Sequence, residues 1–206
     1  MLAKTFGAAV YGVDATLITV EVSVIQGFGQ SVVGLPDNAV KESLQRIEAA
    51  IKNEGQNVTR KKTVINLAPA DIRKEGSSYD LPMALCILAV SENLTFTKEL
   101  SDYVILGELA LDGTLRPIKG VLPIAIEARK NKIKGFILPK ENALEASIVN
   151  SLEVIGVESL GQAIRFLTDE EDIKPLATDT RDIFFSQVNE YNADFAHVQG
   201  QENIFH

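Results

Sequence analysis

Histidine and cysteine are nearly absent from this chain. The two histidines, His197 and His206, lie close to its end, and the one cysteine, Cys86, sits inside an apolar run. A zinc site needs several such ligands at short spacing, and no Cys/His cluster of that kind occurs. A single cysteine excludes an intrachain disulfide and suits a reducing, cytoplasmic setting. In an apolar run it reads as a small core residue rather than a reactive thiol. Long apolar stretches are missing too. Nothing approaches a membrane span, and the opening MLAKTFGAAVYG has no apolar core long enough for a signal peptide. The phosphate loop Gly-x4-Gly-Lys-Ser/Thr appears nowhere in the 206 residues. The chain therefore lacks the residues that hold ATP phosphates and magnesium. Gly27 and Gly29 stand without the rest of a dinucleotide fingerprint and read as a turn. There is no long-period repeat and no low-complexity tract. No metal site and no cofactor is expected in this chain itself.

What is present suits one globular domain with a tail. Hydrophobic residues make up 46% and charged residues 23% of the chain, ordinary values for a soluble fold. The net charge of −8 is unevenly placed: residues 169–206 hold nine acids and two bases, residues 1–168 nineteen acids and eighteen bases. The body is close to neutral, so the acidic total does not argue against nucleic-acid contact by the body.

Periodicity supplies the elements. Met1 to Gly12 reads as a strand, and Ala15 to Ile25 alternates cleanly as a second, half-buried one. After the turn Gly27-Phe28-Gly29-Gln30, Ser31 to Leu35 reads as a third, giving an antiparallel meander. Asp37 is placed to cap a helix with Val40, Leu44, Ile47 and Ile51 on one face. Thr63 to Leu67 is a strand broken at Pro69. Leu81 to Val90, closed by Asn93, is apolar nearly all round, as a central helix is. Val104 to Leu111 reads as a strand, Asp112-Gly113 as a hairpin turn and Thr114 to Ile118 as the returning arm. A helix over Gly120 to Lys132 follows, with Arg129, Lys130 and Lys132 at the end that favours cations. Gly135 to Leu138 is a buried strand stopped by Pro139. Ala143 to Asn150 is a short helix, Glu153 to Val157 a strand, and Ser159 caps a last helix over Leu160 to Leu167. Residues 169–193 read as an acidic linker.

Several strings then stand out: Gly34-Leu35-Pro36-Asp37, Asn66-Leu67-Ala68-Pro69-Ala70, Gly76-Ser77-Ser78-Tyr79-Asp80-Leu81-Pro82, Gly107-Glu108, Arg116-Pro117-Ile118-Lys119-Gly120 and Leu138-Pro139-Lys140-Glu141-Asn142. Singly none is specific. Together they resemble the N-terminal domain of the YifB/ComM family, magnesium-chelatase-like AAA+ ATPases linked to competence and DNA recombination. That domain is in turn similar to the Lon proteolytic-domain fold. The resemblance covers residues 1–203. It implies an α/β (α+β) architecture, a mixed sheet with packed helices, over residues 1–168.

The loop Lys74 to Asp80 before the apolar helix carries the sharpest local chemistry. A serine there is either an exposed nucleophile beside backbone N–H donors or a helix cap. By the Lon resemblance Ser78 takes the nucleophile position, with Ser77 beside it. The Lon catalytic lysine follows a Pro-Ile-Gly-Gly turn; here that turn is Pro117-Ile118-Lys119-Gly120 and the lysine position is Leu122. A leucine cannot deprotonate a serine, so the resemblance implies a retained fold with the dyad lost, as in the similar domain of the recombination protein RadA. Lys119 is the remaining candidate base, three residues earlier. Asp80 and Glu108 lack an evident acid–base partner and read as structural.

Arg60, Lys61, Lys62, Arg73, Lys74 and Lys119 form a candidate phosphate-binding group, with Arg129, Lys130, Lys132 and Lys134 as a further cluster. Each singly reads as solvated surface. Asp194 to Asn203 resembles the entry of an AAA+ module, and residues 194–206 are expected to be its truncated start. ATP and magnesium are implied for that absent module. The function implied is a non-catalytic Lon-like accessory domain of a DNA-remodelling motor in recombination, branch migration and natural transformation. Its implied partners are further copies of itself in a ring, and DNA, without a membrane. The alternative is a Lon-type serine peptidase using Ser78 with Lys119.

Overall fold

The computed structural model describes residues 1–91 and 94–177. β1 (Leu2–Tyr11) and β2 (Asp14–Ile25) form an antiparallel hairpin that pairs Leu2 with Ser23 and Tyr11 with Asp14. Ile18, Val20 and Val22 are buried while Leu17, Thr19 and Glu21 are half-buried, as the alternation requires.

β3 (Gln30–Val33) does not return beside β2, so the expected meander is not formed. α1 (Asn38–Asn53) carries the chain across to β4 (Lys62–Ala68). β4 takes the free edge of β2, pairing Lys62 with Ile25 and Ala68 with Thr19. β3 lies outside β4 and parallel to it. A helix of that length is the connection that parallel neighbours need, and the seven-residue apolar β4 is the better partner for β2.

α2 (Asp80–Ala89) is buried from Asp80 through Leu88 and packs on β1, β2 and α1. It is the central helix its composition predicts. β5 (Tyr103–Ile105) lies parallel to β1, pairing Val104 with Phe6. The alternation over Val104 to Leu111 predicts one strand, but the chain leaves the sheet at Gly107. There the Gly107 N–H donates to Ser78 O (2.8 Å) and the Gly107 carbonyl accepts from Leu81 N–H (3.0 Å). Main-chain pairing to the loop before α2 replaces pairing within the sheet. What remains is a small separate ribbon of β6 (Glu108–Leu109) and β7 (Leu115–Arg116), joined through the expected Asp112-Gly113 turn.

α3 (Val121–Lys130) leads to β8 (Gly135–Pro139), buried throughout and parallel to β5. α4 (Lys140–Ala146) starts directly after Pro139, three residues before the expected Ala143. β9 (Glu153–Val157) closes the sheet beside β8, and α5 (Leu160–Leu167) is capped by Ser159, whose Oγ accepts from Gln162 N–H (3.1 Å). The order is β3-β4-β2-β1-β5-β8-β9. β2 alone runs against the other six.

From Thr168 to Ala177 the chain beyond α5 stays on the body. Glu171 accepts from Gln162 (2.8 Å) and Arg165 (2.9 Å), and Leu176 N–H donates to Val154 O (2.9 Å) in an antiparallel bridge on the edge of β9. Most of the expected linker, the whole 194–206 segment, and Asn93 as the close of α2 lie outside the described residues. Among the described residues no helix is long and apolar enough to cross a membrane.

Candidate functional site

Six strands point the same way, and the loops at their carboxyl ends surround a cleft of about 570 Å³. Ligands of open α/β sheets bind at that end. Tyr11, Asp37, Ser77, Ser78, Glu108 and Lys119 stand on its walls.

The serine loop is assembled from below. Gly34 has φ +100°, and a Cβ there would stand 1.9 Å from Leu67 O. Only glycine lets the end of β3 run so close to β4. Leu35 O then accepts from Lys74 N–H (3.2 Å), and Asp37 N–H donates to Lys74 O (3.0 Å). The Asp37 carboxylate does two things. It caps α1 through Val40 N–H (2.8 Å) and accepts from Gly76 N–H (3.1 Å). The Gly34-to-Asp37 string is therefore the frame on which the loop hangs.

Lys74 is part of that frame and not of a phosphate surface. It is fully buried, and its ammonium donates to the carbonyls of Gly34 (2.7 Å) and Pro69. Burial lowers its pKa. No phosphate reaches it, so it leaves the basic group expected from sequence. The rest of that group is divided. Arg60 and Lys61 precede β4 and Lys62 opens it, whereas Arg73 and Lys119 border the cleft at its far end, about 20 Å along the strand. Arg73 pairs with Glu75 (3.1 Å). Arg129, Lys130, Lys132 and Lys134 lie before β8, at the same end of the sheet as Arg60.

Ser77 and Ser78 have different surroundings. Ser77 Oγ donates to Glu108 Oε2, and the other Glu108 oxygen lies 3.9 Å from Arg116 Nη1. Neither serine caps α2. Tyr79 holds the cap position without a side-chain bond, and its hydroxyl donates to Ala8 O (2.9 Å). Burial pushes the Tyr79 phenol up. Ser78 is half-buried on the cleft wall, and among the described residues its hydroxyl makes no hydrogen bond.

Asp80 has a partner that sequence reasoning missed. Its fully buried carboxylate accepts from Arg46 Nε (2.8 Å) and Nη2 (3.1 Å) and from Leu109 N–H (3.1 Å). Burial pushes the carboxyl up, against the pull of these donors, and the bond to Asp80 raises Arg46. The pair ties α1, α2 and β6 together under the cleft. Thirty-four residues separate the two in sequence, which leaves no local signal for the pairing.

Lys119 is exposed and lines the same cleft as Ser78, with no hydrogen bond between them among the described residues. Its loop is fixed by Asn142, which accepts from Ile118 N–H (2.8 Å) and donates to Ile118 O (3.0 Å). Leu122, one turn on, is half-buried against the core, and its N–H donates to Glu145 (3.2 Å). Among the described residues no group of three or more His, Cys, Asp or Glu is placed to hold a metal.

Comparison with known proteins bears on this arrangement. A family profile described as subunit ChlI of Mg-chelatase matches residues 20–142. The competence protein ComM of Haemophilus influenzae is 40% identical over 179 residues, 86% of this chain and 35% of that protein. The protein YifB of Escherichia coli is 43% identical over 173 residues, 83% of this chain and 34% of that protein. The chain belongs to the YifB/ComM family. It spans about a third of the length of these curated relatives. Likeness to Lon is more distant: a Lon protease of Rhizobium meliloti is 26% identical over 171 residues, 77% of this chain and 21% of that protein. The mixed α/β fold of this YifB/ComM domain is consistent with that relation. Within it, the strings that carried the resemblance have visible work: Gly34 to Asp37 frames the serine loop, and Asn142 holds the Pro117-to-Gly120 turn.

Proposed function

We propose that this chain is a non-catalytic, Lon-like accessory domain of a magnesium-chelatase-like AAA+ ATPase of the YifB/ComM type. It acts in DNA recombination or branch migration during natural transformation, by supporting ring assembly and contacting DNA. One observation carries the reading. The cleft keeps a serine where Lon has its nucleophile, but the lysine position is Leu122, packed against the core. A serine without a base in contact is not activated. ATP and magnesium belong to the remainder of the longer protein, whose hydrolysis drives the motor. Chelatase activity does not follow, because the likeness to the chelatase subunit concerns the motor. The printed name of the Haemophilus relative supports the competence link.

Light scattering of the purified chain, with and without a forked DNA at low salt, tests this. A ring-sized particle that binds the fork supports it. A monomer that ignores DNA moves both tasks to the motor and overturns the accessory role.

A second reading has one observation in its favour: Ser78 and Lys119 face one cleft. A Lon-type peptidase using that pair would hydrolyse an unfolded protein substrate, and Ser78→Ala would abolish it. The expected result is no hydrolysis by either form.

A further inference from the structure

Phe28 stands at the end of the sheet opposite the cleft, on the turn between β2 and β3, and is 87% exposed. Its turn is not loose. Gly27 (φ +122°) and Gly29 (φ +94°) flank it, and Thr63 N–H donates to Gly29 O (2.9 Å), which ties the turn to β4. The main chain is fixed while the ring is left in water, where it adds little to the core.

Beside the ring opens a hollow of about 780 Å³, within the size range of ligand sites. Its apolar lining comes from Met1, Val24, Ile25 and Val90, its charged lining from Arg60 and Lys61, and no carboxylate lines it. Arg60 and Lys61 also line the next hollow, of about 640 Å³, whose acid, Glu48, pairs with Lys52 (2.7 Å). The two bases thus form a ridge between two hollows, with an aromatic ring on one side of it. Single exposed apolar residues are ordinary, but a ring beside an apolar hollow marks an interaction surface.

These features together match the chemistry of a nucleic-acid single strand. Its bases present flat faces that stack on an aromatic ring whatever the sequence, and its phosphates meet Lys and Arg. A duplex keeps its base faces stacked inside and offers phosphates to the ridge alone. An apolar protein segment would use the hollow but gain nothing from two cations without an acid between them. Building on the DNA contact proposed above, we propose that this end of the domain binds single-stranded DNA. Phe28 stacks on a base that enters the hollow, and Arg60 and Lys61 hold the phosphates beside it. Phe28 is then the residue that separates single-strand from duplex binding.

The chain contains no tryptophan, so Phe28→Trp places a lone fluorescent reporter at the site. Its emission should quench as an oligothymidylate is added to the full chain at low salt. Anisotropy of the labelled oligomer gives the affinity. Phe28→Ala should weaken it about ten-fold or more, with the slope of log K against log salt unchanged because no phosphate contact is lost. Phe28→Tyr should bind as the parent does. A blunt duplex of the same length should bind Phe28→Ala and parent alike, whereas Arg60→Ala with Lys61→Ala should flatten the salt slope for both DNAs. Parental affinity of Phe28→Ala for the single strand, or an unquenched reporter at saturation, overturns this inference and leaves the accessory reading standing. A parent chain that binds no DNA overturns both. Self-association lost in Phe28→Ala while DNA affinity is kept would overturn it too, and would assign the hollow to a second copy.

Discussion

Asp80 is fully buried, and its charge is met by Arg46 and one backbone N–H. Removing one partner of such a pair leaves an uncompensated buried charge, at a cost of about 3–5 kcal/mol. Arg46→Ala should lose about that much in urea unfolding at neutral pH. The loss should shrink on acidification, and the sign follows from linkage. Without Arg46, burial outweighs the remaining bond from Leu109 N–H and holds the folded pKa of Asp80 above the unfolded value. Such a group favours the folded state below that folded pKa and loses the contribution as pH rises through it. The gap between variant and parent therefore narrows as pH falls from about 7 towards 4. Lys74 is a parallel case: Lys74→Met strips the Gly34 and Pro69 carbonyls of their donor and should cost about 2–3 kcal/mol. At this scale the sequence exposed the strings but not their partners. Lys74 reads as one more base beside Arg73 until the fold wraps β3 and β4 around it. Ser77 reads as a cap until Glu108 arrives thirty-one residues later.

The elements were legible where one period ran unbroken, as in β2, α1 and α5. They failed where main chain pairs outside its own sheet. Val104 to Leu111 alternates as one strand, yet Gly107 bonds to Ser78 and Leu81, and no residue pattern encodes that choice. β3 was misplaced for a related reason: its sequence fits either a meander or a crossover, and the competition for the edge of β2 is settled by β4. Two variants probe these junctions. Gly34→Ala forces a Cβ onto Leu67 O and a side chain into a left-handed backbone. It should cost more than about 3 kcal/mol, or fail to fold, judged by thermal unfolding. Asn142→Ala frees both backbone groups of Ile118 and should cost about 2 kcal/mol. Amide exchange at Ile118 should rise well before global unfolding does.

Over the whole molecule, the bases that form one group on paper stand at two ends of the sheet. DNA contact by the domain is thus best tested at the end bearing Arg60, Lys61 and Lys62. Replacing the three by Ala should weaken forked-DNA binding at low salt and flatten the dependence of log K on log salt by about 2–3. A slope unchanged from the parent would remove that face from the reading. The cleft was locatable from sequence only through its motifs; its walls come from five separate segments that converge after the strands are ordered. That ordering has a consequence in time. β1 sits mid-sheet, with β2 on one side and β5 on the other. Its hairpin partner follows it within a few residues, but Val104, which pairs with Phe6, is made ninety-eight residues after it. At about 5–20 residues per second, a nascent β1–β2 hairpin waits roughly 5–20 seconds on the ribosome with its second edge unpaired.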